Sequence, residues 1–218
     1  MHAQKLSRWP VAGGYLERLG LPPEEIEARS RQVARGLVGT RWCEDEAELA
    51  ATLLYASGDA GSIADLRFGG DPVGTARAAL ARGAALLVDV TMVGSGIRLP
   101  AGHRMAVAVR LPGAQDLARR ARITRAAAGM KRGWDDFGAG GLVVIGNAPT
   151  ALLAVLDLAA NCAPPACVVA TCPGFHVATE AKEALVSSRI PHVVVAGPRG
   201  GSGLAAAAAN HLLGSVRL

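Results

Sequence analysis

The chain has 218 residues, of which 50% are hydrophobic, 19% charged and only 4% aromatic, with a net charge of +5 and an isoelectric point near 9.4. This length supports one sizeable core, built from small and branched aliphatic side chains. No apolar run approaches the roughly 20 residues that span a bilayer, and the N-terminus lacks the apolar stretch of a signal peptide. We therefore expect a soluble, cytoplasmic protein without a membrane partner.

The first third of the sequence predicts helices. Residues 1–20 form a basic lead-in, and a single domain is expected over 21–218. A helix is predicted from Pro22 to about Val38, because the positive end of the helix dipole favours acidic residues in the first turn. A second helix over 44–56 has the same acidic beginning, and a third is predicted over 72–82.

From there strands alternate with helices. Short aliphatic runs bounded by turn residues predict five buried strands, over 85–90, 105–110, 142–145, 166–171 and 192–196. The intervening segments predict helices, over 91–96, 114–131, 149–160, 179–187 and 202–213. The alternation indicates an α/β fold: a single domain with a mainly parallel sheet, helices on both faces and right-handed crossovers.

The carboxyl ends of parallel strands share one edge of a sheet, where ligands usually bind. Four segments follow strands there, namely 89–92, 146–150, 172–175 and 197–203. Their candidate ligand-binding residues are Thr91, Met92, Asn147, Thr150, Arg199, Gly201 and Ser202. The glycine-rich segment 197–203 precedes a helix, whose N-terminus would suit a carboxylate or phosphate. It lacks the endings of the phosphate-binding loop and of the dinucleotide fingerprint, so nucleotide binding is a weak alternative.

The basic balance has two explanations, a nucleic acid and a polyanionic small molecule. Basic residues are dispersed and do not interleave with aromatic residues, which argues against a nucleic acid. Thr124 and Arg125 lie in the predicted long helix, and Arg125, flanked by small residues, is the arginine expected to turn inward and bind a carboxylate. Two histidines in predicted turns, His103 and His176, are candidate site residues.

The four cysteines, at 43, 162, 167 and 172, lack the paired spacing of zinc sites. They do not suggest a disulfide framework either. We expect no metal site and interpret them as small core or loop residues.

Five stretches follow one another in a specific order along the chain: DVTMVGSGIRLPAG, ITRAAA, VVIGNAPTAL, PGFHVATEAKEAL and GPRGGSGLAAAAAN. Together they resemble one family, the precorrin-8X methylmutases of cobalamin synthesis, and the resemblance covers about residues 24–213. It implies a homodimeric isomerase without cofactor, which binds a polycarboxylate tetrapyrrole and moves a methyl group from C-11 to C-12 of the macrocycle. Such a substrate would explain the basic charge.

The resemblance also implies roles for individual residues. The family's substrate-contacting helix serine falls on Ser30, and its Thr-Arg pair falls on Thr124 and Arg125. The sequence departs from the family's Arg-x-x-His, since Thr52 and Tyr55 stand at those two positions. An imidazole exchanges protons near neutral pH, whereas a phenol, with a reference pKa of about 10, is a poor base at pH 7.

Three outcomes of this departure stay open. In the first outcome, a hydrogen bond from Tyr55 is enough, because folding the substrate into one conformer supplies much of the reduction of the barrier. In the second, His103 or His176 takes over the proton role from another loop. Alternatively, the chain is a tetrapyrrole binder or carrier that no longer catalyses. Tyr55 also has a plain structural interpretation, as a core aromatic residue of its helix.

Overall fold

The structure, a computed structural model, describes residues 20 and 22–214. The predicted lead-in over 1–20, apart from Gly20, lies outside the described residues. Nine α-helices and six strands occur in the described part. The helices are α1 (Pro23–Val38), α2 (Glu44–Ser57), α3 (Pro72–Ala81), α4 (Thr91–Gly96), α5 (Ala114–Ala121), α6 (Arg125–Gly133), α7 (Pro149–Asn161), α8 (Ala178–Val186) and α9 (Ser202–Leu212).

The strands form one sheet in the order β1-β6-β5-β4-β2-β3. Their bounds are β1 (Leu66–Gly69), β2 (Leu86–Val88), β3 (Met105–Val107), β4 (Leu142–Ile145), β5 (Cys167–Ala170) and β6 (His192–Val195). All neighbouring pairs are parallel except β1 and β6. The predicted α/β fold with a mainly parallel sheet is confirmed.

Alternate strand residues enter two separate hydrophobic clusters, one on each face. The first lies under α1–α4 and α9 and includes Val144 and Val169. The second lies under α6–α8 and includes Val143 and Val168. Because β4, β5 and β6 are buried on both faces, they read in sequence as unbroken aliphatic runs.

The edge strand β1 was missed by the sequence analysis. It has four residues, one of them Arg67, and pairs antiparallel with β6. Four residues with a charge carry no periodic signal, so only the pairing with β6 makes this segment a strand. In contrast, β3 ends at Val107 and the predicted strand continues as a short 3-10 turn over Ala108–Arg110.

The prediction of one long helix over 114–131 was wrong, because the helix is interrupted between α5 and α6. Arg122 closes α5 in the left-handed region, with φ of 53°. The side chain of Thr124 then accepts a hydrogen bond from the backbone N–H of Ala127, at 3.2 Å, as a helix N-cap does. Thr124 and Arg125 therefore lie at a helix N-terminus rather than within a helix.

Candidate functional site

The turn after β4 is held by a buried carboxylate from the end of β2. Asp89 is fully buried, and its two oxygens accept hydrogen bonds from four backbone N–H groups at 2.8–3.2 Å, those of Val90, Gly146, Asn147 and Ala148. Burial raises the pKa of Asp89, and the four donors oppose that rise. One side chain thus fixes two strand ends relative to each other.

Gly146 is where two helices close over the end of β4. A Cβ at this position would lie 2.5 Å from a methyl carbon of Val93 in α4 and 2.9 Å from Cα of Ser202 in α9. Since Cβ contacts under 3 Å force a shift, only glycine lets the starts of α4 and α9 meet here. The structure therefore brings the predicted segments 89–92, 146–150 and 197–203 together.

The glycine-rich segment is locked to the end of β5. Gly201 donates its N–H to the carbonyl of Thr171 at 2.6 Å, and its own carbonyl accepts from the Thr171 hydroxyl at 3.0 Å. A Cβ on Gly200, whose φ is 144°, would collide with the Thr171 carbonyl. Ser202, at the first position of α9, is 7% exposed.

A buried lysine of α8, Lys182, holds the same glycine-rich segment through a hydrogen bond to its backbone. The Nζ of Lys182, a side chain 1% exposed, donates to the carbonyl oxygen of Arg199 at 3.0 Å. Because a trans peptide holds C=O and N–H on opposite sides, this bond turns the N–H of Gly200 away from Lys182. Burial lowers the pKa of Lys182.

Arg199 faces an open cavity of about 470 Å³ between this segment and the C-terminal end of α2. Its guanidinium lies 3.4 Å from carboxylate oxygens of both Asp59 and Asp65. A substrate carboxylate would therefore compete with two acids for Arg199. Arg199 therefore lies at the predicted edge of the sheet, where it already has two acidic partners.

The other half of the edge carries arginines and threonines. The hydroxyl groups of Thr124 and Thr150 lie 2.7 Å apart and join the start of α6 to the start of α7. Arg110 donates through Nε to the hydroxyl of Thr91 at 3.0 Å. Arg125, expected to turn inward, is instead exposed at the first position of α6. Neither Arg110 nor Arg125 has an acid within salt-bridge distance among the described residues.

Apolar and polar side chains are exposed between these charges. Met92 is 71% exposed and Phe175 is 96% exposed, which leaves two large apolar side chains on the surface at this edge. Asn147 and His176 are also exposed, in the turns after β4 and β5. Such an arrangement suits a flat apolar ring with anionic arms.

Ser30 and Tyr55 line a second cavity, of about 390 Å³, between α1 and α2. The Ser30 hydroxyl donates to the carbonyl of Ile26 within its own helix, at 2.8 Å. Tyr55 is 39% exposed, and the Arg31 guanidinium carbon lies 4.7 Å from its ring centroid. Tyr55 is therefore not a core aromatic residue. Tyr55 immediately precedes the pair Ala56-Ser57, which lines the same cavity as Arg199.

Two sequence candidates do not reach the site. Thr52 is 3% exposed; its hydroxyl bonds the Glu48 carbonyl and lies 3.0 Å from Nδ1 of His211. His103 precedes β3, and the carbonyl of neighbouring Arg104 accepts from the N–H of Leu86 at the start of β2. His103 thus lies at the amino edge of the sheet, opposite the strand ends that carry the site. The structure therefore brings neither Thr52 nor His103 to the carboxyl edge of the sheet.

Sequence reasoning did not single out Arg110 or the buried lysine Lys182, and it noted Phe175 only as the last residue of segment 172–175. A charge on the apolar face of a helix, in EAKEAL, was the available signal for Lys182. Asp89 was noted only as part of its turn, although an acid ending the aliphatic run LLVDV indicates a buried, hydrogen-bonded carboxylate.

The described part of the chain contains no helix with the length and apolar character that spanning a membrane requires.

The four cysteines are free thiols. Cys167 and Cys172 are buried, whereas Cys43 and Cys162 are exposed. Burial raises the pKa of the Cys172 thiol to about 11, so this thiol stays protonated at neutral pH.

Comparisons with known proteins agree on one family. A family model described as Precorrin-8X methylmutase matches residues 25–215. The chain is 40% identical over 179 residues to a precorrin-8X methylmutase from a Sinorhizobium species, covering 79% of this chain and 85% of that one. It is 36% identical over 197 residues to a cobalt-precorrin-8 methylmutase from Methanothermobacter thermautotrophicus, covering 87% and 91%. A solved precorrin-8x methyl mutase from Thermus thermophilus matches with a TM-score of 0.76 at 30% identity, covering 86% of this chain and 95% of that one.

Proposed function

From the premise that the chain belongs to the precorrin-8X methylmutase family, we propose that it moves a methyl group from C-11 to C-12 of precorrin-8X or its cobalt analogue. The enzyme is an isomerase of cobalamin biosynthesis, because the methyl group stays on the same molecule. We place it in the cytoplasm, as a homodimer without a cofactor or metal of its own and without a nucleic-acid partner.

The observation that carries this proposal is the composition of the carboxyl edge of the sheet. Cationic side chains, exposed apolar side chains and a glycine-rich helix start lie along one edge. Acetate and propionate arms would bind the guanidinium groups of Arg110 and Arg125, and the ring would rest on Met92 and Phe175. Holding the macrocycle in one conformer lowers the barrier to the shift.

Turnover is tested directly with purified protein and precorrin-8X or cobalt-precorrin-8. We expect a product of unchanged mass and altered absorption. Binding without any spectral change over hours would contradict the proposal and would identify the chain as a carrier.

Replacing Arg125 with alanine should raise KM by roughly 10- to 100-fold with a smaller effect on kcat. A hydrogen-bonded charge pair contributes about 1.5–3 kcal/mol, and bidentate carboxylate binding is specific to the guanidinium group. Steady-state kinetics measure the effect. Arg120→Ala, at an exposed arginine in the last turn of α5, is the matched control and should leave KM unchanged. Equal KM values for the two variants would remove Arg125 from the substrate site.

The homodimer is supported by an apolar stripe on α1. Ile26, Val33 and Leu37 are 40%, 64% and 50% exposed, and their spacing together with Ser30 places them on one face of the helix. Val33, Leu37 and Tyr55 line the same open cavity. Exposed apolar stripes of this kind mark protein interfaces, so we propose that a second copy covers α1 and closes the cavity beside Tyr55.

A charge placed on this stripe should break the dimer. Val33→Glu would bury an unpaired carboxylate at the interface, so sedimentation velocity should show monomers at micromolar concentration and turnover should fall. Val186→Glu, at an exposed valine of α8 on the other face of the sheet, is the control. A Val33→Glu protein that sediments like the wild type would contradict this interface.

A further inference from the structure

A buried histidine, His211, links the helices α2, α3 and α9. His211, in the last turn of α9, is 4% exposed. Its Nδ1 lies 3.0 Å from the hydroxyl oxygen of Thr52 in α2, and its Nε2 lies 3.4 Å from Nη2 of Arg77 in α3. Arg77 also pairs through Nη1 with Asp45 of α2, at 3.0 Å.

The hydrogen-bond partners of His211 determine which of its two ring nitrogens carries the proton. A guanidinium only donates, so Nε2 of His211 must accept from Arg77 and carries no proton. The Thr52 hydroxyl has one proton, which it donates to the carbonyl of Glu48 at 3.0 Å. Its oxygen therefore accepts from Nδ1–H of His211. The hydrogen bonds thus run in one direction, from Arg77 through His211 and Thr52 to the backbone of α2.

Electrostatics agree with a neutral ring. Burial, and after it the guanidinium of Arg77, lowers the pKa of His211 to about 4, and Asp45 opposes this while Arg31 adds to it. A second ring proton would point Nε2–H at the N–H of Arg77, so that bond is incompatible with the charged form. His211 is accordingly neutral and held in the Nδ1–H tautomer.

The contact between α2 and α9 needs a directional bond to set its register. The two helices run antiparallel, since Thr52 meets His211 while Ala56 and Leu204 line one cavity. Most residues of α9 between Ser202 and His211 are alanines, and Ala208, which is buried three residues before His211, lies on the same side of the helix. Apolar contacts between small side chains are non-directional, whereas a buried hydrogen bond selects one arrangement.

We propose that His211 is a positioning residue for the methyl shift: through Thr52 it fixes α2 along α9 and thereby places the Tyr55 hydroxyl at the substrate. Tyr55 follows Thr52 by three residues, about one turn further along α2. The same α9 begins with Ser202 at the glycine-rich edge. His211 therefore couples the two halves of the site, and this inference rests on the proposed function.

Two substitutions at His211 separate this role from plain stability. His211→Asn keeps an N–H donor at the place of Nδ1, whereas His211→Leu removes both ring nitrogens. We expect His211→Leu to lower kcat by roughly 10- to 100-fold with KM nearly unchanged, and His211→Asn to stay close to the wild type. Leu185→Ala, in the core of α8 on the other face, controls for lost stability and should keep kcat.

A double variant tests whether His211 acts through Tyr55. If it does, Tyr55→Phe combined with His211→Leu should be no slower than Tyr55→Phe alone. An additional loss in the double variant as large as the loss in the wild-type background would overturn the proposal.

A second measurement does not depend on turnover. The chain has two tyrosines, so protein labelled with 3-fluorotyrosine gives two ¹⁹F resonances, and Tyr55→Phe identifies that of Tyr55. His211→Leu should shift this resonance and His211→Asn should not. An unmoved resonance in His211→Leu would contradict positioning. A wild-type protein that fails to convert substrate would refute the proposed function and leave this measurement valid.

Discussion

Replacing Tyr55 with phenylalanine should lower kcat by about 10²- to 10³-fold, the usual cost of removing one hydrogen-bond donor that faces developing charge. Tyr55 lines an open cavity and is 39% exposed, so loss of its hydroxyl leaves the core intact. The thermal midpoint should therefore change little. Single-turnover absorption changes with precorrin-8X separate the chemical step from binding.

The reverse change sharpens this prediction. Tyr55→His restores the residue type that the family resemblance implies, and an imidazole also exchanges protons near neutral pH. We expect Tyr55→His to be at least as active as the wild type, while Tyr15→Phe, the same change at the other tyrosine, controls for nonspecific effects. If Tyr55→Phe turns over substrate at the wild-type rate, the phenol has no part in the reaction. The proton role would then fall to His176, in the turn after β5.

Replacing Asp89 with asparagine should lower the free energy of unfolding by about 2–4 kcal/mol. Each carboxylate oxygen accepts two backbone N–H groups, and the amide nitrogen of asparagine would face two of them as a donor. An orphaned buried donor costs about 1–3 kcal/mol. Urea denaturation measures the loss.

The same variant should also weaken substrate binding. The turn over 146–148 is fixed by Asp89, and Asn147 extends from it at the edge of the sheet. Asp116→Asn, at an exposed acid of α5, is the matched control and should leave stability and KM unchanged. If both variants unfold at the same urea concentration, Asp89 does not support the turn as described.

Local signals were enough for much of the fold. The aliphatic runs 142–145 and 192–196 predicted buried parallel strands, and their partners in the sheet confirm them. The acidic beginnings of α1 and α2 located both helices to within a residue or two. Each of these signals lies within about 15 residues of chain.

The helix break at Thr124 shows where local interpretation failed. The stretch 114–131 is rich in helix-forming residues, and Thr124 reads equally well as a helix residue or as an N-cap. Its contact with Thr150, 26 residues away, accompanies the break. Because of this interruption, Arg125 is the first residue of α6 at the edge of the site and not a residue within a long helix, as the sequence predicted.

The sequence by itself determined the alternation of strands and helices and the motif set of the family, because both depend on residues that are close together in the chain. Only the tertiary structure decided that Thr52 is buried against His211, that His103 lies at the amino edge and that β1 completes the sheet. These depend on pairs far apart in the chain, as with Thr52 and His211. The physical reason is that packing and hydrogen-bond geometry select such partners from many that are equally compatible with local sequence.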